Sequence, residues 1–448
     1  MSALGPIKQI VKRNGNVVGY DRERITTAIF KATGSTGQPN RALAENMAEK
    51  VEQALTAAYS GGMSPTVEDI QDVVEKVLIE NRLTELARNY IIYRHERAML
   101  RSARAYSFEV TDNIPYKKIY EVLLWNMVHK CETVEGLNAI VRGGDLPALI
   151  HAAEQRYADE VMVAAQGLLD RPGDTRLVIV AGPSSSGKTT TVIKLGERLQ
   201  AAGRKLKAIN VDHYFFDLMR HPRDEFGDYD YEAPQSLDLD LINRHLAQLL
   251  AGQSVRTPHY DFKTGRRTLD VHELHVADDE VLLLDSLHGL YDGMTSAVPA
   301  ARKFRLYVET LGQLRAADGT FMRWADNRLL RRMLRDRDHR NLAPIETLTH
   351  WHYVRRSELK DIIPFISRAD FVLNTALPYE LPILKRKLCA YFPDAIAQFK
   401  TDPHRQDAYV RAQRVFDLLQ PLAEVADDAC VPRRSILREF IGGSEYPY

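Results

Sequence analysis

The sequence predicts an α/β fold: a parallel-sheet domain at the centre of the chain, preceded by a mainly helical domain with a small β-hairpin. Three observations predict it. Five short, nearly continuous apolar runs (LVIVAG, KLKAINVD, EVLLLDS, KFRLYVE and ADFVLN) alternate with helical patterns between residues 177 and 374. Strands buried on both faces by helices read this way, as in doubly wound sheets. The first hundred residues instead carry mostly helical periodicity, and Asn14-Gly15 between IKQIVKR and NVVGYD is a strong short-range hairpin signal.

Taken in order, residues 7–21 form the hairpin, and a helical pattern follows from Arg22 to about Ala57, broken by GSTGQPN. A second break, SGGMSP at 60–65, precedes Thr66, an N-cap with Asp69 three residues on. Val67, Ile70, Val73, Val74, Val77 and Leu78 then give one helical face, and LTELARNYIIYRHERAMLR a further helix. Residues 102–172 are mostly helical and end at RPGD, a plausible hinge. The division expected is 1–100 as a first domain, 101–172 as a helical linking region, 173–390 as the sheet domain and 391–448 as a helical extension.

Composition narrows the partners. The 448 residues hold 60 Lys+Arg against 60 Asp+Glu, a formal charge of zero, which argues against nucleic acid or an anionic membrane as the main partner. Cys131, Cys389 and Cys430 are far apart and odd in number, with neither a disulfide framework nor zinc spacing. The N-terminus has no apolar signal core and no run approaches transmembrane length, so the cytoplasm is the expected location.

Chemistry enters at Gly182-Pro183-Ser184-Ser185-Ser186-Gly187-Lys188-Thr189, which satisfies G-x-x-x-x-G-K-[ST] at every position, with Thr190 following. Backbone N–H groups of such a loop surround phosphate oxygens, and the helix that follows adds its positive end. Lys188 would reach the β- and γ-phosphates and Thr189 would offer a hydroxyl to Mg²⁺, so the ligand is a nucleoside triphosphate such as ATP. Asp212 ends the next strand, where a carboxylate serves as general base or merely as a loop cap. Asp285 ends another strand, either orienting Mg²⁺ or closing a turn. In RLLRRMLRDRDHRN, Arg328, Arg331, Arg332, Arg335, Arg337 and Arg340 crowd one helix and its exit. That run fits a lid closing on phosphate or a solvated basic face. His350 and His352, with His339 nearby, lack the carboxylate or cysteine that would complete a metal site.

This succession resembles the uridine kinase and phosphoribulokinase family of P-loop kinases over about residues 176–380, through DHYFFD, the stretch ending PHYDFKTGRR, LLLDSLHGL and RRMLRDRDHRN. ETLTHWHYVRRSELKDIIPF, ADFVLNTALPYELPILK and SILREFIGGS extend it nearly to Tyr448, toward bacterial uridine-kinase-like nucleoside kinases with extra N-terminal domains. The resemblance implies Asp212 as general base, Tyr260 against the base or sugar, Arg332 on the acceptor, and Arg335 and Arg340 on phosphates. Tyr214, with Phe215 and Phe216, is read as part core and part substrate wall. The family's ribose-gripping Asp is Glu232 here, with Asp230 beside it, and its base-reading His is replaced by Gly265. The resemblance implies a uridine- or cytidine-like nucleoside as the leading acceptor; the lost histidine fits the second, a sugar phosphate or other small hydroxyl compound met by His259, Lys263, Arg266 and Arg267, and a nucleotide sensor without phosphotransfer is the third.

VKRNGNVVGYDRERITTAI and TVEDIQDVVEKVLIE followed by LARNYIIYR resemble the ATP-cone, a module that binds ATP or dATP and controls an attached enzyme. The resemblance implies nucleotide contacts at Val11, Lys12 and Arg13 of the hairpin, with Arg24 and Arg88 as further candidates. Spacing alone would favour a solvated hairpin; the length of the match favours the cone. Both families commonly form homo-oligomers, and one is expected here.

Overall fold

The computed structural model describes residues 7–12, 17–34, 39–59, 64–91, 94, 113–171, 175–222, 229, 233–340, 342–402 and 405–447. The chain forms two units, Met1–Val110 with Phe392–Arg414, and Thr111–Tyr391 with Val415–Tyr448.

In the first unit β1 (Gln9–Val11) pairs antiparallel with β2 (Val17–Gly19), Ile10 opposite Val18. The Asn14-Gly15 turn expected between them lies outside the described residues, as do parts of the two expected loops, at 35–38 and 60–63. Helices α1 (Arg22–Gly34), α2 (Arg41–Ala58) and α3 (Val67–Glu80) and a helical stretch at 84–91 close over the hairpin. Ile25, Ile29, Val51, Leu55, Val74, Leu78 and Tyr90 form their core. Thr66 caps α3 as its spacing predicts: Asp69 N–H donates to Thr66 Oγ1 at 3.1 Å and Thr66 N–H to Asp69 Oδ2 at 2.8 Å.

The second unit opens with α4 (Tyr116–Val128), α5 (Val134–Gly143) and α6 (Leu146–Leu169). The linking region expected over 101–172 is thus, from Thr111 on, part of the unit that holds the sheet. Its long helix α6 bonds directly to the sheet domain, Tyr157 Oη lying 2.8 Å from Thr191 Oγ1 and Glu160 accepting from Asn374 N–H at 2.9 Å. Residues 172–174 of the expected hinge lie outside the described residues.

The five apolar runs become β3 (Leu177–Ala181), β4 (Lys205–Asn210), β7 (Glu280–Ser286), β8 (Lys303–Glu309) and β9 (Phe371–Asn374). They form one sheet in the order β4-β7-β3-β8-β9, every neighbouring pair parallel. β3, buried at every position, lies at the centre; the chain runs from it to β4 on one side and passes later from β7 to β8 and β9 on the other. The crevice beyond its carboxyl end is therefore the topological switch point, where such sheets take ligands. Between β4 and β7 comes α8 (Leu239–Leu250), then an antiparallel ribbon of β5 (Val255–Asp261) and β6 (Arg266–Leu274). That ribbon lacks an apolar run because β6 is mostly exposed. Helices α7 (Lys188–Ala201), α9 (Trp324–Arg340), α10 (Pro344–Ser357) and α11 (Glu380–Leu388) surround the sheet. Later in the chain come α12 (Phe392–Lys400), which belongs to the first unit, α13 (Gln406–Leu419), which is divided between the two, and the short α14 (Arg438–Ile441) of the second. Among the described residues no helix is long and apolar enough to cross a membrane.

Removing the α3 cap isolates one local contribution. Thr66→Ala is expected to lower stability by about 1 kcal/mol, read as a shift in urea or thermal unfolding of the full chain followed by circular dichroism.

Candidate active site

β3 delivers the chain into the loop at Gly182, and α7 starts at Lys188. Between them Ser185 sits at φ +61°, a strained conformation for a residue with a side chain, and Gly187 at φ +88°. A Cβ at Gly187 would overlap the side chain of Ile436 as well. The hydroxyls of Ser185 and Ser186 are buried without a hydrogen-bond partner among the described residues. Unpaired donors in a tight loop at a helix N-terminus suit an anionic ligand. Lys188 Nζ donates to Gly182 O at 2.9 Å; crowding lowers its pKa, opposed by the nearby Asp285 carboxylate.

Asp212 lies in the single 3₁₀ turn (Val211–Tyr214) that follows β4, its N–H held by Asn210 Oδ1 at 3.1 Å. It remains exposed to water, yet protein atoms crowd it enough to raise its pKa. The charges of Lys188, His213 and Arg340 act in the opposite direction. Asp285 stands opposite Val180 on β3 and Asn210 on β4, beside the root of the phosphate loop. Desolvation raises its pKa too, against Lys188. Thr189 is exposed at the start of α7. A hydroxyl and a carboxylate are the hard oxygen donors that Mg²⁺ takes, so Thr189 and Asp285 fit that ion by type.

The arginines of α9 divide into two sets. Arg328 and Arg331 are almost wholly buried, 1% and 0% exposed, and paired with carboxylates from other elements. Arg328 Nε meets Glu309 at 2.8 Å, its Nη2 meets Glu358 at 2.9 Å and its Nη1 donates to Ser184 O at 3.3 Å. Arg331 meets Glu380 at 2.7 and 3.0 Å and Thr375 O at 2.7 Å. Neither is a mobile lid residue, because moving it would expose buried carboxylates without partners. Arg332 and Arg335 instead reach the phosphate loop, donating to Ser184 Oγ at 2.7 and 3.1 Å. Burial, with Arg332 and Arg340 close by, pushes Arg335 down to about 10. Asp336 links Arg332 at 2.7 Å and Arg340 at 3.3 Å, while Arg337 pairs with Asp338.

The ribbon returns to the turn that holds Asp212, Tyr260 N–H reaching His213 Nδ1 at 3.3 Å. Tyr260 is buried beside Phe215, His221 and Phe262. Tyr214 is fully buried, its hydroxyl 2.8 Å from His245 Nδ1. It is a core residue, and the substrate contact expected of it is corrected on that ground. Asp230 and Glu232 lie outside the described residues. Arg267 is committed to Asp238 at 2.8 Å and stacked over Phe216, which withdraws it from the expected acceptor-phosphate set. Gly265, at φ +66°, has no room for a Cβ against Leu218, so the ribbon turn excludes the family's base-reading histidine at that place.

Among the described residues, one group of three His, Cys, Asp or Glu side chains converges closely enough to hold a metal ion: His213, His259 and His272, with ligand atoms within 4.8 Å. Tyr260 N–H donates to His213 Nδ1 at 3.3 Å, which leaves Nε2 as the protonated nitrogen of the neutral ring. While that bond stands His213 offers no lone pair to a metal, and the three imidazoles are hydrogen-bonding groups beside Asp212. His350 and His352 each place a ring nitrogen near a carbonyl of their own helix.

Comparison with known proteins shows the family. The model of the Phosphoribulokinase / Uridine kinase family matches residues 177–378. A uridine kinase of Bacillus pumilus is 30% identical over 161 residues, covering 36% of this chain and 67% of its own length. The chain belongs to the phosphoribulokinase/uridine kinase family. A second member, the uridine kinase of Oceanobacillus iheyensis, is 29% identical over 195 residues, 43% of this kinase and 83% of that protein. The ATP cone domain model matches residues 8–99. A vitamin B12-dependent ribonucleoside-diphosphate reductase of Thermoplasma acidophilum is 39% identical over 103 residues, 22% of this kinase and 13% of the reductase. A solved structure of a possible uridine kinase from Bacillus stearothermophilus has 16% identity and a TM-score of 0.34, covering 48% of this chain and 98% of its own.

In the kinase's cone, Val11 is buried and its N–H bonds Pro65 O at 3.0 Å, so its side chain belongs to the core rather than to a nucleotide. Lys12 is half-buried, Arg24 is exposed and paired with Asp21 at 3.3 Å, Arg88 is exposed, and Arg13 lies outside the described residues. Sequence reasoning missed Glu309, Glu358 and Glu380, the long-range partners of the buried arginines. It also missed Glu439 of the tail SILREFIGGS, whose Oε2 accepts from Thr190 Oγ1 at 2.7 Å and Thr190 N–H at 3.2 Å. Thr190 is therefore occupied where the expectation had it facing ATP.

The two arginine sets separate by experiment. Arg328→Met strands two buried carboxylates and is expected to cost about 3–5 kcal/mol of stability; Arg332→Met should lose clearly less in the same urea titration.

Proposed function

We propose that this kinase transfers the γ-phosphoryl group of ATP to the 5′-hydroxyl of a pyrimidine-like nucleoside, and that its cone adjusts the rate according to the adenine nucleotide it holds. The observation that carries the reading is the place of Asp212: just past the carboxyl end of β4, open to water, and subject to the charge of Lys188. A carboxylate there can take the acceptor hydroxyl's proton as the oxygen attacks phosphorus and ADP departs. Its raised pKa makes it a stronger base than an ordinary aspartate. Lys188, Arg332 and Arg335 supply positive charge at the loop, where charge develops on the transferring group. Mg²⁺, held by Thr189 and Asp285, would neutralise phosphate charge when bound.

The nucleoside acceptor is supported by the names of the relatives, and by a wall of groups suited to a heterocycle. His213, His259 and His272 present ring nitrogens beside Asp212, and Phe262 is an exposed ring on the same ribbon. Donors and acceptors of this kind discriminate strongly between bases. The commitment of Arg267 to Asp238 weighs against a phosphorylated sugar. Regulation by the cone would be a free-energy linkage of about 1–3 kcal/mol between cone occupancy and the kinase reaction. The absence of any helix fit to cross a membrane, among the described residues, is consistent with the cytoplasm.

Three measurements test the reading. Asp212→Asn is expected to reduce ADP release with Mg-ATP and a panel of nucleosides by about 10²–10⁴-fold; an unchanged rate would leave the loop as a sensor. In the wild type kcat/KM should fall at low pH as the base is protonated, with a midpoint above the usual aspartate value of about 3.9, because desolvation raises the Asp212 pKa. Added dATP should change the rate about 5–150-fold at saturation, and Lys12→Ala should remove that response; a rate indifferent to dATP and ATP at the cone sinks the regulatory half.

A further inference from the structure

Residues 435–441 form a continuous buried run. Ser435, Ile436, Leu437 and Phe440 have no exposure, and Glu439 has 6%. It is fastened by several independent contacts. Ser435 Oγ lies 3.0 Å from Tyr379 Oη, and Tyr379 Oη donates to Glu154 at 2.5 Å. Arg438 donates to Asp428 O and Val431 O at 2.7 and 2.8 Å, and the Arg331 guanidinium stands 5.0 Å over the Phe440 ring. The outcome of this docking is to place Ile436 against Gly187 and the Glu439 carboxylate on Thr190.

Thr190 is a particular place on α7. Thr191 N–H already bonds Gly187 O at 3.2 Å, so Thr190 is the last residue of the first turn whose N–H the helix itself does not use. First-turn donors of this kind are what a phosphate chain takes from a loop of this type. Here both donors of Thr190, amide and hydroxyl, are held by a buried carboxylate that comes from 249 positions away. The Glu439 charge is also felt by Lys188, Asp285 and Arg335, which places it within the phosphate-binding constellation. A carboxylate and a phosphate cannot both accept from the same two donors. Side by side they would also repel.

We propose that Glu439 is a resident anion of the phosphate-binding turn, displaced when a nucleoside polyphosphate binds, and that it thereby sets the nucleotide affinity of this kinase. The inference rests on the loop being the nucleotide site. Displacement releases the Ile436 and Glu439 contacts, so nucleotide binding loosens the docked segment 435–443. The competing role is purely structural: Gly187 has no side chain to cap α7, and Glu439 caps it from a distance.

Isothermal titration of the full-length protein with ADP separates the two. Glu439→Gln keeps an oxygen for one Thr190 donor but removes the charge, and it is expected to bind ADP about tenfold more tightly than the wild type. Hydrogen exchange of the wild type, which needs no variant to fold, is expected to quicken across 435–443 when ADP is added. Equal or weaker ADP binding by Glu439→Gln overturns the proposal, as does exchange that stays the same or slows. A cap alone predicts a lower melting temperature for the variant with unaltered ADP affinity. Failure of the wild type itself to bind ADP would refute the loop as nucleotide site, and this inference with it.

Discussion

Two guanidinium groups without access to water hold the phosphate end of the molecule in place. Arg328 and Arg331 are charged and buried, and an unpaired charge in that position costs several kcal/mol. Each must therefore find its whole set of partners at once: Glu309 and Glu358 for Arg328, Glu380 and the Thr375 carbonyl for Arg331. These partners come from β8, from the turn after α10, from the residue that follows β9 and from the start of α11. Satisfying them leaves α9 one rotation and one height against the sheet. Positions 328, 332 and 335 lie along one helical face, and all three donate to Ser184, through its carbonyl or its hydroxyl. Arg332 and Arg335 are thus positioned against the loop by Arg328 and Arg331 a turn earlier.

The same coupling reaches the loop backbone. Thr375 Oγ1 donates to Ser186 O at 2.5 Å while its own carbonyl accepts from Arg331, so the loop and the arginine framework share a residue. Glu358 opens a π-helical turn, Glu358–Ile362, an irregularity that commonly accompanies functional sites. A loop held at a strained φ by Ser185 needs such support, since strain persists only where the surroundings over-determine the backbone.

What the sequence disclosed and what it concealed follow the range of the interactions. Local signals were legible: the five apolar runs became the five strands, Thr66 and Asp69 formed their capping box, and the glycine-lysine loop lay between a strand and a helix. Long-range pairing was not. Six arginines on one helix and its exit look alike when only neighbours at i±4 are visible, whereas Glu358 is 30 positions from Arg328 and Glu380 is 49 from Arg331. Glu439 and Thr190 are separated by 249. Burial of single residues was also hidden. Tyr214 follows Asp212 by two positions yet turns wholly into the core toward His245, and Val11 sits beside Lys12 but packs inward. Within such short segments nothing in residue type says which side chain faces the ligand.

The two ends of the active site consequently differ in how they tolerate change. At the phosphate end, charge is buried and every partner is shared, so a substitution is felt in stability before it is felt in rate. At the acceptor end His259 and His272 are exposed on a two-stranded ribbon, with few buried partners to strand. Surface substitutions of that sort typically shift stability by about 0.5 kcal/mol or less. Gly265 is the exception there, because its left-handed backbone and the contact with Leu218 leave no space for a side chain. For the nucleoside acceptor proposed above, contacts to the base would therefore fall to residues on the strands of this ribbon and to His213 on the neighbouring turn, where imidazoles can vary without disturbing the phosphate loop.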